Sequence, residues 1–541
     1  MEEFLKKHLG AIAVLIYILY PLLKRWLDRQ KKKREQAGTA PTATAGTPAS
    51  KQPRPSPSAS RPARAPRPKP TVQPAVTRQP AAPDFLGAAR TQVDRLKQEA
   101  VRLLTRAQGD PRLRRLVPAL REDLLGRLEL VDHSLQSSPT LSTIVQDSSL
   151  LHDLNALLRY LKTMAQQRTH GSSSFLGDAD AMADACYAPL LDFSRTRRLD
   201  LKTSQPVAVT GDWDLGIVPR FASTRVAPLR LPLGFERSLW RWPAIAHEVG
   251  HDFYYSLEGL DRTLHARLGL PHEVELPVSA EELDGAWLRK LFGPWLSEVF
   301  ADVVGTLTLG PAYVETMRRA FRNPSSPQRT AAISQDQARI DEHPPPRLRL
   351  YMATRVLHYL GRHEEADALW EQWEAEHADV GLYYLPLGGR WVGLSDEALH
   401  SVADSMIDVL VQRPWPELAG FPLLQVPGLA YLHAEHAEVE RLSRQLARGE
   451  TVDADVRWIM AAAVLAAMAQ PALHDQILGA ARRSIVGAGE QKEKPAADET
   501  RRQPADTIAK ALLASLREPA SIDEAILVGA ALTPYKRPTW H

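Results

Sequence analysis

Apolar and polar residues alternate differently in successive stretches of the chain, and the pattern predicts its elements. Residues 9–23 form an uncharged apolar run of fifteen, which Phe4, Leu5, Trp26 and Leu27 extend on either side. A spanning helix needs about 20 residues, so the extension matters, and Lys6, Lys7, Lys24 and Arg25 can reach the interfaces. From Phe85 the apolar positions take helical spacing, first Leu96, Ala100, Leu103 and Leu104, then Leu120, Leu124, Leu125 and Leu128. Gly171 and the three serines after it break this pattern. Residues 206–209 and 226–233 read as strands, and Pro228 and Pro232 place the second at a sheet edge. Helical spacing resumes at Ser238 and dominates to the C-terminus, except over the polar stretch 487–506, which reads as a surface loop.

Composition changes the picture mainly at the N-terminus. The 541 residues are 44% hydrophobic and 24% charged, which suits a folded body. The 42 prolines are unevenly spread. Residues 36–83 are rich in Ala, Pro, Thr and Ser, with seven basic residues and no acidic one, and predict a disordered, extended tether. Residues 1–83 carry sixteen Lys and Arg against four Asp and Glu, or +12, so the rest of this +3 chain carries −9. Such an arm suits anionic lipid headgroups, and the lack of aromatics between the charges of residues 36–83 argues against nucleic acid. No small-residue cleavage site follows the apolar run, so an uncleaved anchor is expected. More Lys and Arg follow the run than precede it, which predicts a single-pass bacterial inner-membrane protein with its C-terminal body in the cytoplasm. The single cysteine, Cys186, excludes an internal disulfide framework and cysteine-based zinc knuckles, and reads as a small buried residue. The expected organisation is an anchor over 1–27, a basic tether over 28–84, a helical segment over 85–170, a central domain over 171–361 and a helical region over 362–541.

The chemistry concentrates in the central domain. In His247-Glu248-Val249-Gly250-His251 the two histidines are one turn apart if residues 238–257 are helical, with Ser238 as N-cap or Pro243 in the first turn. That places them to share a metal ion, and Glu248 to take a proton from water activated there. Glu298 and Asp302 are four apart on a second helix that opens with Gly293-Pro294. Glu298 completes a His₂Glu ligand set, and Asp302 can accept a hydrogen bond from a ligand histidine. Val299, Phe300, Ala301, Val303 and Val304 surround these acids, so a solvated acidic face does not account for them.

HEVGH followed by Glu-x-x-x-Asp resembles the gluzincin zinc metallopeptidases. A third segment, Asp341-Glu-His-Pro-Pro-Pro-Arg-Leu-Arg349, is similar to the His-Pro motif of the CAAX prenyl endopeptidase family. The resemblance covers roughly residues 171–361. It implies an α+β, mainly α fold, with a zincin-like metalloprotease domain, a small upstream sheet and flanking helical segments. It further implies Zn²⁺ held by His247, His251 and Glu298, catalysis by Glu248, His343 as oxyanion donor and Arg349 positioning it, with a protein or peptide as substrate. Strand 226–233 would pair with an extended substrate. A proline-rich turn ahead of a helix at 348–360 accounts equally well for His343 and its prolines. Those proteases have several spanning helices where this chain has one short anchor, so their substrate preferences do not transfer. Two other classes stay open: a catalytically degenerate scaffold that binds a partner through its helical regions, and a zinc hydrolase acting on a non-peptide bond. His272-Glu273 and His363-Glu364 lack a second histidine four residues on, and His433 with His436 reads as solvated. Tyr254 and Tyr255 read as packing residues.

Overall fold

The computed structural model describes residues 85–492, apart from 138–139, 170–173, 204, 213, 221–223, 324, 337–338 and 378–379. The expected anchor and tether lie outside the described residues. Among the described residues no helix is long and apolar enough to cross a membrane.

Helix α1 (Phe85–Ala107) buries the stripe Val93, Leu96, Ala100 and Leu104. Asp110 caps α2 (Pro111–Leu120) by accepting from the Leu113 N–H, with Pro111 in the first turn. A π turn, Arg121–Leu125, leads into α3 (Gly126–Gln136), and α4 (Leu141–Thr169) follows. These helices share one apolar cluster with Val207 and Val209 of strand β1 (Val207–Gly211). Ala208, between those valines, belongs instead to the larger cluster that fills the rest of the molecule. The period-2 alternation of a strand thus joins two cores across one thin sheet.

The fold is mainly helical with small sheets. Behind β1 lies α5 (Ser174–Arg197); β2 (Gly216–Ile217) and β3 (Pro228–Pro232) complete a three-stranded sheet in the order β1-β3-β2. Next come α6 (Ala244–Ser256), α7 (Leu260–Leu268), α8 (Gly285–Lys290), α9 (Phe292–Leu309) and α10 (Pro311–Phe321). The pair β4 (Gln335–Asp336) and β5 (Arg339–Ile340) precedes α11 (Pro346–Tyr359) and α12 (His363–Glu376). A hairpin of β6 (Leu382–Leu387) and β7 (Arg390–Ser395) precedes α13 (Asp396–Gln412). Helices α14 (His433–Ala447), α15 (Val456–Ala469) and α16 (His474–Lys492) close the described chain.

Several local expectations are corrected. Strand β3 is central, parallel to β1 and antiparallel to β2. Its prolines sit at its two ends, and the Pro228 carbonyl still accepts from the Val218 N–H, so they do not force it to the edge. The edge strand beside the next helix is β2, too short to be read from periodicity. Helix α6 starts at Ala244 after Pro243, and two 3₁₀ turns, Phe235–Arg237 and Leu239–Arg241, occupy the region around Ser238. The β6–β7 hairpin falls where only helix was expected; Gly388 and Gly389, both at positive φ, make its turn. Helix α16 runs through Lys492 into the expected loop 487–506.

Candidate metal centre

Two helices meet at unusually short range. A Cβ at Gly250 of α6 would lie 2.8 Å from Ala301 Cα of α9, so only glycine lets these backbones approach so closely. The approach brings His247 and His251 against Glu298. His247 Nε2 and His251 Nε2 are 3.0 Å apart, His251 Nε2 is 3.0 Å from Glu298 Oε1, and His247 Nε2 is 3.5 Å from Glu298 Oε2. Two ligand atoms about 2.1 Å from a tetrahedral zinc ion lie about 3.4 Å apart, so this spacing fits such an ion. His247 and Glu298 are buried and His251 half-buried.

Asp302 lies beneath the triad, fully buried. His247 Nδ1 is 2.9 Å from Asp302 Oδ1, which holds a proton on Nδ1 and directs Nε2 at Glu298 and His251. Arg349 of α11 donates to both Asp302 oxygens, Nε at 2.7 Å and Nη2 at 2.8 Å, and its Nη1 lies 3.0 Å from Glu298 Oε2. The expected positioning role of Arg349 is therefore directed at Asp302 and Glu298; among the described residues it makes no hydrogen bond to His343.

The electrostatics follow from these contacts. Burial alone would push the Asp302 carboxyl up, but Arg349 and the His247 bond outweigh it and hold it at about 2. Glu298 is likewise held well below the carboxylate range, with Arg349 and His251 overcoming burial. Burial opposes a charge on His247, yet Asp302 and Glu298 raise its pKa to about 10. The same two carboxylates would favour a divalent cation in place of a proton on Nε2. The donor set of two imidazoles and one carboxylate suits zinc.

Glu248 is 7% exposed, and its Oε2 accepts from the Ile217 N–H at 2.8 Å. Val218 N–H points at β3, so by alternation Ile217 N–H lies on the free edge of β2. His343 reaches the rim of the site: its Nε2 is 3.7 Å from Glu298 Oε1, and its Nδ1 is 3.0 Å from Asp341 Oδ1. The Asp341 bond raises the His343 pKa against burial. Tyr255 stacks on His251 with ring centroids 6.5 Å apart, while Tyr254 is buried and donates to Asp261.

One participant was not legible in the sequence. The Tyr313 hydroxyl of α10 donates to Asp302 Oδ1 at 2.7 Å and lies 3.2 Å from His247 Nδ1. Gly310, at φ 57° and ψ −137°, turns the chain back on itself, and the Tyr313 ring packs where a Cβ at Gly305 would stand. Those two glycines are the trace it leaves in the sequence. No protein family, curated protein or solved structure matches the chain.

Proposed function

We propose that this chain is a zinc-dependent endopeptidase, zincin-like over residues 171–361 and held to a membrane by its N-terminal segment. One observation carries the reading: His247, His251 and Glu298 converge at 3.0–3.5 Å, with Glu248 next to the first histidine. His247, His251 and Glu298 would hold zinc, which would supply a Lewis acid that activates water. Glu248 accepts the water's proton at Oε1 while Ile217 N–H holds Oε2, then passes it to the leaving amine. His343 keeps its proton through Asp341 and donates to the oxygen that gains charge. Tyr313, Arg349 and Asp302 hold His247 and Glu298 in place.

The test is metal analysis of the purified protein, with casein cleavage by wild type and Glu248→Gln. Bound zinc in both and a loss of cleavage of about 10²–10⁴-fold in the variant is the expected result. Absence of zinc, or equal cleavage by the variant, overturns the proposal. Zinc without cleavage in the wild type leaves the scaffold reading in its place.

A further inference from the structure

A second group of ligand-type side chains lies outside the site just described. Asp261 and His265 are one turn apart on α7, and the chain then reverses at Gly269, φ 64°. Leu270 N–H returns to the His265 carbonyl at 2.9 Å, which carries His272 back over the helix. The His265 and His272 rings lie 3.7 Å apart, centroid to centroid. One ligand atom from each of Asp261, His265 and His272 falls within 4.8 Å of the others. His265 Nε2 is 3.5 Å from Asp261 Oδ1, close to the about 3.4 Å set by two tetrahedral zinc bonds. His265 is buried, and its Nδ1 lies 3.2 Å from the Leu270 carbonyl. That bond fixes the proton on Nδ1 and presents the Nε2 lone pair to Asp261, as outer partners of metal-binding histidines do. Exposed His272 makes no hydrogen bond among the described residues, so stacking alone places it here.

We propose that Asp261, His265 and His272 form a second divalent-metal site, suited to zinc, that staples the helix carrying His247 and His251 to the helix carrying Glu298. Two imidazoles and a carboxylate select a borderline transition ion over calcium or magnesium, which prefer all-oxygen shells. Three protein ligands leave the fourth tetrahedral position to water. The staple follows from what the ligands are tied to. Asp261 Oδ1 accepts from the Tyr254 hydroxyl at 2.5 Å, and Tyr254 follows His251 by three residues on α6. His272 follows Pro271, whose carbonyl packs against Gly293 so tightly that a Cβ there would stand 1.8 Å from it. Gly293 lies in the first turn of α9, which carries Glu298. An ion bridging Asp261 to His272 thus closes a path from one ligand helix to the other. The site borders a groove of about 750 Å³ lined by His265, Leu270, Glu273 and Trp287 among others, and none of the triad lines it.

The experiment strips the full-length protein with chelator, titrates it with Zn²⁺ alone and counts ions bound per chain by atomic absorption. Wild type is expected to hold two, His272→Ala one, and the double variant His247→Ala/His251→Ala one. Because His272 is exposed, its substitution spares the core. The zinc-induced rise in Tm is also expected to shrink in His272→Ala relative to wild type. His272→Ala binding as many ions as wild type overturns the second site. An unchanged zinc-induced rise in Tm, with one ion lost, overturns the staple. A wild type that holds one ion, kept by His247→Ala/His251→Ala and lost in His272→Ala, overturns the first site while supporting the second, so the two readings fail separately.

Discussion

Arg349 Nε and Nη2 lie 2.7 and 2.8 Å from the two carboxylate oxygens of Asp302, while Nη1 lies 3.0 Å from Glu298. One guanidinium therefore holds both the acid that orients His247 and the acid that completes the triad. Removing it leaves two buried carboxylates with His247 as the cation in contact with both. Arg349→Met is expected to cost about 3–5 kcal/mol in denaturant unfolding of the metal-free protein. Arg349→Lys keeps the charge but loses the fork, and should fall between. Unfolding midpoints equal to wild type in both variants would reject this role.

Asp302→Asn removes the charge that fixes the His247 proton on Nδ1. Zinc affinity should fall about 10–100-fold, read by competition with a chromophoric chelator. Tyr313→Phe keeps the carboxylate and loses one donor, so its effect on the same assay should be smaller. A larger loss from Tyr313→Phe than from Asp302→Asn would reverse the assignment.

At Gly250 the contact is backbone against backbone, so neither helix can yield by turning a side chain. Gly250→Ala should destabilise by about 1–3 kcal/mol and weaken zinc binding together, because the same approach builds the triad. Gly177, in the first turn of α5, offers the contrast, since a Cβ there meets nothing within 4 Å. Gly177→Ala should stabilise by about 0.4–1 kcal/mol and leave zinc binding unchanged. Thermal unfolding of the two variants side by side checks both outcomes.

Asp252 supplies a pH dependence. It is fully buried, and burial lifts its carboxyl to about 6 against the lowering bonds from Thr203, Tyr187 and Ser256. The folded value lies above the ~3.9 of an unfolded aspartate, so the folded chain holds the extra proton between the two. This group's contribution to stability therefore falls as pH rises through about 4 to 6, by on the order of 3 kcal/mol in all. Asp252→Asn, still able to accept from Thr203 and Tyr187, should be more stable than wild type at pH 7 and lose that advantage near pH 4. A wild-type-minus-variant difference that stays constant from pH 4 to 7 in urea unfolding would contradict this.

Much of the site was legible because it is local. His247 and His251, like Glu298 and Asp302, are each four residues apart, so one helical turn aligns each pair without help from the rest of the chain. The apolar neighbours of Glu298 and Asp302 required buried partners, and α9 does bury both. The strand register was less legible. Two prolines in 228–232 suggested an edge, and only the parallel pairing with β1 and the antiparallel pairing with β2 show why their positions at the strand ends are tolerated. His272 has no histidine four residues away, and its neighbours are reached only through the turn at Gly269.

The sequence by itself determined the two helices that carry His247, His251, Glu298 and Asp302, and the helical character of the chain from Phe85, because 3.6-residue periodicity is a property of neighbours along the backbone. Tertiary structure decided everything that needs two distant segments to touch. It set Gly250 against Ala301, so that the triad closes; it turned Arg349 toward Asp302 and Glu298; and it brought Tyr313 back under His247. Such contacts depend on how close helices can pack and where chains reverse, and periodicity carries neither.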